Sequence, residues 1–400
     1  MEMFKGYPRV DGSVGIRNHV VITSTVACSN GSVLRVAEEN PGLISMCTVN
    51  GCGNSHDSLE YHRAVANICR HPNVYAVILI GLGCEDMDAK VLADELAAEG
   101  RNVFVRRVQH DGGSDVVCKE ASEAAKRFLK EAAEMEPVDC PIEKLAVGFR
   151  FVNEDVNTDV YTNPVFGKVV DWFVDHNATA VVSQTGAYFG GEKFLAEKAG
   201  SEAAEKKLHE IYSNTAYQME KYYGNRDFCK ISEAEEKLGI TTPAERAAAR
   251  LSVMGKYDIS HVIDAEGRLG DYKGLVFQDG TMIDTAGLNA LLTAGTQLSV
   301  VSSGRLSLLG WPAAPVLKVA TNQDAFCMSP GDMDLDAAAV AEGKQSTEAF
   351  AQDIIRKIIA VANGQKTVAE EREHDGGVFE THFRKVPHKR DNITEILDFC

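Results

Sequence analysis

Before Met135, an apolar, β-branched run followed by a helical pattern occurs four times: HVVITSTVAC then SVLRVAEEN, GLISMCTVNGC then SLEYHRAVANICRH, VYAVILIGLGC then AKVLADELAAEG, and NVFVRRVQ then SDVVCKEASEAAKRFLKEAAEM. Runs of this kind suit parallel strands buried on both faces, with the helices as crossovers. Residues 1–138 therefore read as a doubly wound, mainly parallel α/β domain. The first three runs each end at a Gly- or Ser-rich turn that holds one cysteine: Cys28, Cys52 and Cys84. In an open parallel sheet the carboxyl ends of the strands share one edge, where ligands bind. Three thiolates meeting there would leave a metal or cluster one open position for Lewis-acid chemistry on a substrate oxygen.

The segment EMEPVDCPIEK has no apolar period and holds two prolines, which predicts a linker. Residues 139–400 read as a second, less regular α/β domain. LAVGFRFV, TAVVSQT, KGLVFQDG, TQLSVVSSG and APVLKVAT are its predicted strands, and a helical insertion spans about residues 193–256. Such an insertion forms a cap, a wall of the site or a subunit contact, so a homo-oligomer is one expectation. No apolar run reaches the roughly 18 residues of a membrane span, and the amino terminus lacks a secretory pattern. No membrane and a cytoplasmic location are the expectations. Ten cysteines then read as thiols and ligands rather than a disulfide framework. A net charge of −17 argues against nucleic acid as the main partner but leaves an anionic small molecule open.

Several blocks carry a resemblance: GYPRVDGSVGIRN (Gly6–Asn18), the cysteine segments, HPNVYAVILIGLGCE (His71–Glu85), TNPVFG (Thr162–Gly167), SGRLSLLGWPAAPVLKVAT (Ser303–Thr321) and DMDLDAA (Asp332–Ala338). Over almost its whole length the chain resembles the altronate and galactarate dehydratase family. That resemblance implies an iron-dependent lyase that removes water from a sugar acid, or sulfite as in a related branch acting on 3-sulfolactate. It also implies the large subunit of a split enzyme, because the match starts close to Met1 and a small domain precedes that point in single-chain members. A separate small subunit is thus an expected partner, and a small anionic hydroxy acid the expected substrate.

Such an elimination removes a weakly acidic proton beside a carboxylate and expels a poor leaving group. Cations or a metal must hold the carboxylate and developing enolate, and a Lewis acid or proton donor must assist departure. Iron, as Fe2+ or an iron–sulfur cluster on Cys28, Cys52 and Cys84, would meet the second need; for each cysteine singly, a buried packing role is the competing reading. His56 is the preferred acid–base group, against the alternative that SHDSLE merely starts a helix. Glu85 and Asp86 follow Cys84, and His110 and Asp111 precede an anion-friendly GGS turn. Arg17, Arg305 and Lys318 are the candidate cations: Arg305 as a carboxylate clamp, Lys318 as a buried lysine that needs Asp334 or the substrate as partner. His62, His71, Cys47, Cys69, Cys118 and Cys140 read as structural, Cys400 as incidental, and Asn163 and Asp334 as shaping the second domain.

The chain also departs from the pattern that it resembles. Phe151, Val152, Asn153, Glu154 and Asp155 stand where the dehydratases carry CGGSD, and Gln184 where a glutamate is usual. A ligand-capable cysteine and two glycines are lost, which implies a changed substrate or lost activity. Three readings stay open: the iron-dependent lyase, a noncatalytic relative that binds a metal or small anion, and an unrelated α/β ligand-binding or transferase function.

Overall fold

A computed structural model of the chain describes residues 2–48, 51–52, 58–223, 230–280 and 283–374, with only the backbone of 58–60 and 218–223. Four runs of the first segment form β3 (His19–Ser24), β4 (Leu43–Met46), β5 (Val74–Gly81) and β6 (Asn102–Arg107), all parallel in the order β4-β3-β5-β6. Helices α1 (Asn30–Glu39) and α4 (Ser114–Ala133) cover one face, where Val33, Val36, Ala121 and Phe128 meet Val20, Ile22, Ile78 and Ile80. Helices α2 (Ser58–Cys69) and α3 (Ala89–Ala98) cover the other through Val65, Ile68, Leu92 and Leu96 against Val21, Val77 and Leu79. The alternation of inward side chains along each strand thus feeds two cores, and the sheet is doubly wound as expected.

A second, seven-stranded parallel sheet runs β10-β11-β9-β8-β12-β13-β14. Its strands are β8 (Ala146–Val152), β9 (Thr179–Ser183), β10 (Ile259–Ile263), β11 (Gly274–Gln278), β12 (Leu298–Ser303), β13 (Val316–Ala320) and β14 (Leu335–Asp336). This sheet is longer than the five predicted strands, because ISHVI and the two-residue β14 carry too little apolar sequence to stand out. Helix α5 (Asn163–Asp175) packs on one face, together with the helices α6 (Glu192–Glu197), α7 (Glu202–Tyr223) and α9 (Pro243–Leu251) of the expected insertion, which also holds the short α8 (Glu233–Lys237). Helix α10 (Asp284–Ala294) lies on the opposite face.

The segment expected as a linker instead supplies β7 (Val138–Pro141), which pairs antiparallel with β1 (Met3–Pro8); β2 (Val14–Gly15) completes a three-stranded sheet. The opening GYPRVDGSVGIRN block runs through it as a clasp. All five N–H donors of Arg17, 11% exposed, are spent on Glu370 (2.7 and 2.9 Å) and the carbonyls of Ile16, Val361 and Gln365. Arg17, expected as a substrate cation, is therefore committed to holding the opening block against residues 361–370.

One core spans both large sheets. Residues of α2 and α10 pack in a single cluster with Val21, Val77, Val152, Val276 and Val301. The carboxyl ends of these helices meet where His71 Nε2 lies 2.9 Å from the Thr296 carbonyl and Asn73 Nδ2 donates to that of Gln297 at 2.8 Å. Burial pushes His71 down to about 3, so it is neutral there. Each helix runs from the carboxyl edge of its own sheet back to the amino edge. Side-by-side helices whose last turns coincide therefore place the carboxyl edges of both sheets on the same side of the molecule.

Candidate functional site at the shared carboxyl edge

Strand order places a topological switch between β3 and β5, and the three cysteine turns follow β4, β3 and β5 on that edge. The turns are tied backbone to backbone. Asp86 N–H donates to the Gly51 carbonyl at 3.0 Å, joining the Cys84 and Cys52 turns. Gly51, at φ +111°, lies so close to the Cys28 turn that a Cβ there would stand 2.3 Å from the Thr25 carbonyl. Asn30 bridges the ends of β3 and β4, accepting from Ser24 Oγ at 2.5 Å and donating to the Thr48 carbonyl at 2.7 Å. Cys28, Cys52 and Cys84 are all free and exposed.

Among the described residues, no three His, Cys, Asp or Glu side chains already sit together as a metal site. The turns are gathered, while the thiols are not closed around a point. Three exposed cysteine sulfurs on turns locked to one another nevertheless form a soft donor set that would suit iron or an iron–sulfur cluster.

Glu85 is occupied differently from the expectation of a free acid–base group. Its carboxylate accepts from Thr25 Oγ1 at 2.9 Å, Leu82 N–H at 3.1 Å and Gly83 N–H, so it braces the Cys84 turn against the Cys28 turn. Asp111 is taken by the Arg107 N–H at 2.6 Å. His56, with Ser55 and Asp57, and Cys400 lie outside the described residues. His62, read from sequence as structural, borders with Asp86 a groove of about 470 Å³ beside the Cys84 turn. Among the described residues its buried Nε2 has no hydrogen-bond partner, and burial lowers its pKa against the pull of Asp86. A lone histidine on an amphipathic helix gave no signal of this in the sequence.

The large sheet has its own switch between β8 and β12. Asp155, just past β8, stitches the strand ends together: it accepts from Thr158 N–H and Oγ1 (both 2.8 Å), Thr321 Oγ1 (2.9 Å) and Asn322 Nδ2 (2.8 Å). Asn153 (φ +46°) keeps the left-handed backbone that a glycine would adopt, which asparagine tolerates better than most residues. Gln184, buried at the end of β9, holds φ +105° and donates to Glu154 Oε1 at 2.5 Å. Two neighbouring non-glycine residues in this region are a mark of functional sites.

Glu154 lies between two ion pairs, each with a buried arginine, on opposite faces of the sheet and acts electrostatically on all four members. Arg150, 0% exposed, stands 3.6 Å from Asp284, its guanidinium packed against α10 where Gly287 leaves room: a Cβ would meet it at 2.1 Å. Arg250 donates to Asp159 at 3.0 Å, and its guanidinium lies 5.7 Å from the ring of Phe151. Burial pushes Asp159 up to about 6 although Arg250 pulls the other way. Phe151 is thus part of the core and floors this pair.

Arg305 is exposed just beyond β12, with its carbonyl held by Ser303 Oγ at 2.6 Å. Lys318, 0% exposed on β13, has other partners than expected. Its Nζ donates to the Ser307 carbonyl at 2.9 Å and to His374 Nδ1 at 2.6 Å, while Asp334 takes the Lys318 backbone N–H. Burial lowers the ammonium to about 8. Lys318 therefore anchors the Arg305 loop, and Asn163 is fully buried at the start of α5, where neither amide atom has a partner among the described residues.

The family described as D-galactarate/altronate dehydratase, C-terminal, matches residues 142–382, and the D-galactarate dehydratase/altronate hydrolase second domain matches residues 6–133. The chain belongs to this family. It is 27% identical over 380 residues to the altronate dehydratase of Bacillus subtilis, covering 90% of this chain and 74% of that protein. To the (2R)-sulfolactate sulfo-lyase subunit beta of Chromohalobacter salexigens it is 24% identical over 376 residues, covering 93% and 95% respectively. The galactarate dehydratase (L-threo-forming) of Escherichia coli is 26% identical over 390 residues, covering 91% and 73%. The chain is accordingly an enzyme of the dehydratase and lyase type. Among the described residues no helix is long and apolar enough to cross a membrane.

Proposed function

We propose that this chain is the large subunit of a lyase that eliminates water or sulfite from a small hydroxy acid, at the face onto which both carboxyl edges open. The observation that carries this reading is the meeting of α2 and α10 at their last turns, which brings the cysteine turns and the Glu154 region to one side of the molecule. Cys28, Cys52 and Cys84 would hold iron, which when bound supplies Lewis acidity toward the leaving oxygen or sulfonate. Arg305 offers an exposed guanidinium fork for the substrate carboxylate. Glu154, half-buried and held by Gln184, would take the proton beside it. A relative named as subunit beta, matched over 95% of its length, supports a separate small partner.

The test is anaerobic purification with a small-domain partner, quantification of iron and acid-labile sulfide, and assay against aldonic, aldaric and sulfonated hydroxy acids. Turnover with bound iron is expected. Iron-free protein without turnover on any of them would sink the reading in favour of a noncatalytic relative.

A further inference from the structure

At the opposite, amino-terminal edge of the large sheet lies a cavity of about 330 Å³, between the Asp11–Ser13 turn of the clasp, the starts of β8 and β9, and the turn at residues 268–273. Lys144, Arg268 and Lys273 line it. Among the described residues neither lysine makes an ion pair. Lys144 Nζ reaches only the Gly12 carbonyl at 3.3 Å, and Lys273 Nζ the carbonyl of Glu143.

The carboxylates nearby are largely spoken for. Asp11 accepts from Ser13 N–H and Oγ at 3.0 and 2.6 Å and from Arg101 at 2.6 Å, so Arg268 stands off at 3.9 Å. Asp271 also lines the cavity, exposed to water, and Glu143 accepts from Asn177. Lys273 is half-buried, and burial together with the charge of Lys144 pulls its pKa down against the opposing pull of Glu143 and Asp271. Like charges that face a shared, partly dry space raise the energy of the protein unless an anion joins them. In a chain of net charge −17 the long-range field repels anions, so such a cluster has to act through close contact.

We propose that this cavity is a binding site for a doubly charged oxyanion, either free phosphate or the phosphate group of a small metabolite, held by Lys144, Arg268 and Lys273. Bound there, it bridges the amino-terminal clasp to the large sheet at a place remote from the cysteine turns, and it requires nothing of the reaction proposed above.

The test is calorimetric titration of the full chain with inorganic phosphate and, separately, a hexose monophosphate, at ionic strength fixed with chloride. Saturable binding is expected in the wild type and at least tenfold weaker in K144M/K273M and in R268Q. Phosphate tenfold above its Kd should raise Tm by about 2 °C in the wild type only. Circular dichroism and the phosphate-free Tm show that the variants are folded. Equal affinity for both ligands assigns free phosphate, and tighter ester binding assigns a metabolite. Absence of binding, or binding unchanged in folded variants, overturns the proposal.

Discussion

Replacing Asp159 by Asn tests which force dominates beneath the carboxyl edge of the large sheet. Asp159 is 2% exposed, and its pKa rises from 3.8 to about 6 because burial outweighs the Arg250 guanidinium at 3.0 Å. A carboxyl whose folded pKa is raised contributes stability that is fully present below 3.8 and lost as pH rises through about 6. At 1.36 kcal/mol per unit the whole loss is about 3 kcal/mol, of which about 2 kcal/mol falls between pH 4.5 and 7.5. For a chain of this length, with roughly 2 cal/mol/K per residue, that corresponds to about 2–3 °C in Tm. Asn keeps an oxygen for Arg250 Nε but does not titrate. The Tm of D159N minus that of the wild type should therefore climb by about 2–3 °C over this range, in thermal melts at fixed ionic strength. A flat difference, or one that falls as pH rises, would refute the reasoning and show that the ion pair outweighs burial.

Gly51→Ala forces a Cβ to 2.3 Å from the Thr25 carbonyl at φ +111°, so the Cys52 turn must move away from the Cys28 turn. A displacement near 1 Å should cut kcat/KM by about 10²-fold and lower bound iron, read by activity and metal analysis of the same preparation. Arg17→Ala breaks a buried pair and three carbonyl contacts, at a cost of about 3–5 kcal/mol. Its Tm should drop by about 4–6 °C with kcat unchanged well below the melt. Lys318→Met frees the Ser307 carbonyl, and trypsin should cut after Arg305 several-fold faster than in the wild type.

The four strand–helix repeats were legible because strands buried on both faces need unbroken β-branched runs, and the cysteine turns were legible because they end those runs. The strands β1, β7 and β10 were not. Edge and clasp strands are short, half-exposed and decided by tertiary pairing, as in Val138–Pro141 with its proline. Polar partnerships escaped for a related reason. Lys318 was correctly expected to need a partner, but Ser307 and His374 reach it only through a loop fold that no spacing encodes. Arg17 and Glu85 had the residue types of a site and are spent on structural contacts, with Glu370 and three carbonyls for Arg17 and with Thr25 and two backbone N–H groups for Glu85, while the Arg150–Asp284 and Arg250–Asp159 pairs join residues far apart in sequence.

Glu154 shows what the altered segment after β8 has gained. With Phe151 in the core and Asn153 supplying the left-handed turn, the strand end still presents a carboxylate, now aimed by Gln184 between two buried arginines. If that carboxylate takes the substrate proton, Glu154→Gln should lower kcat by about 10²–10⁴-fold, because the amide keeps the shape and the contact with residue 184 but cannot accept a proton. If Glu154 merely tempers the positive field of Arg150 and Arg250, the same substitution strengthens the attraction for an anionic substrate, so KM falls while kcat stays within about twofold. The two roles move different kinetic constants, so one variant separates them. A lower KM with unchanged kcat would remove Glu154 from proton transfer and leave the search for the base among the residues of the cysteine edge.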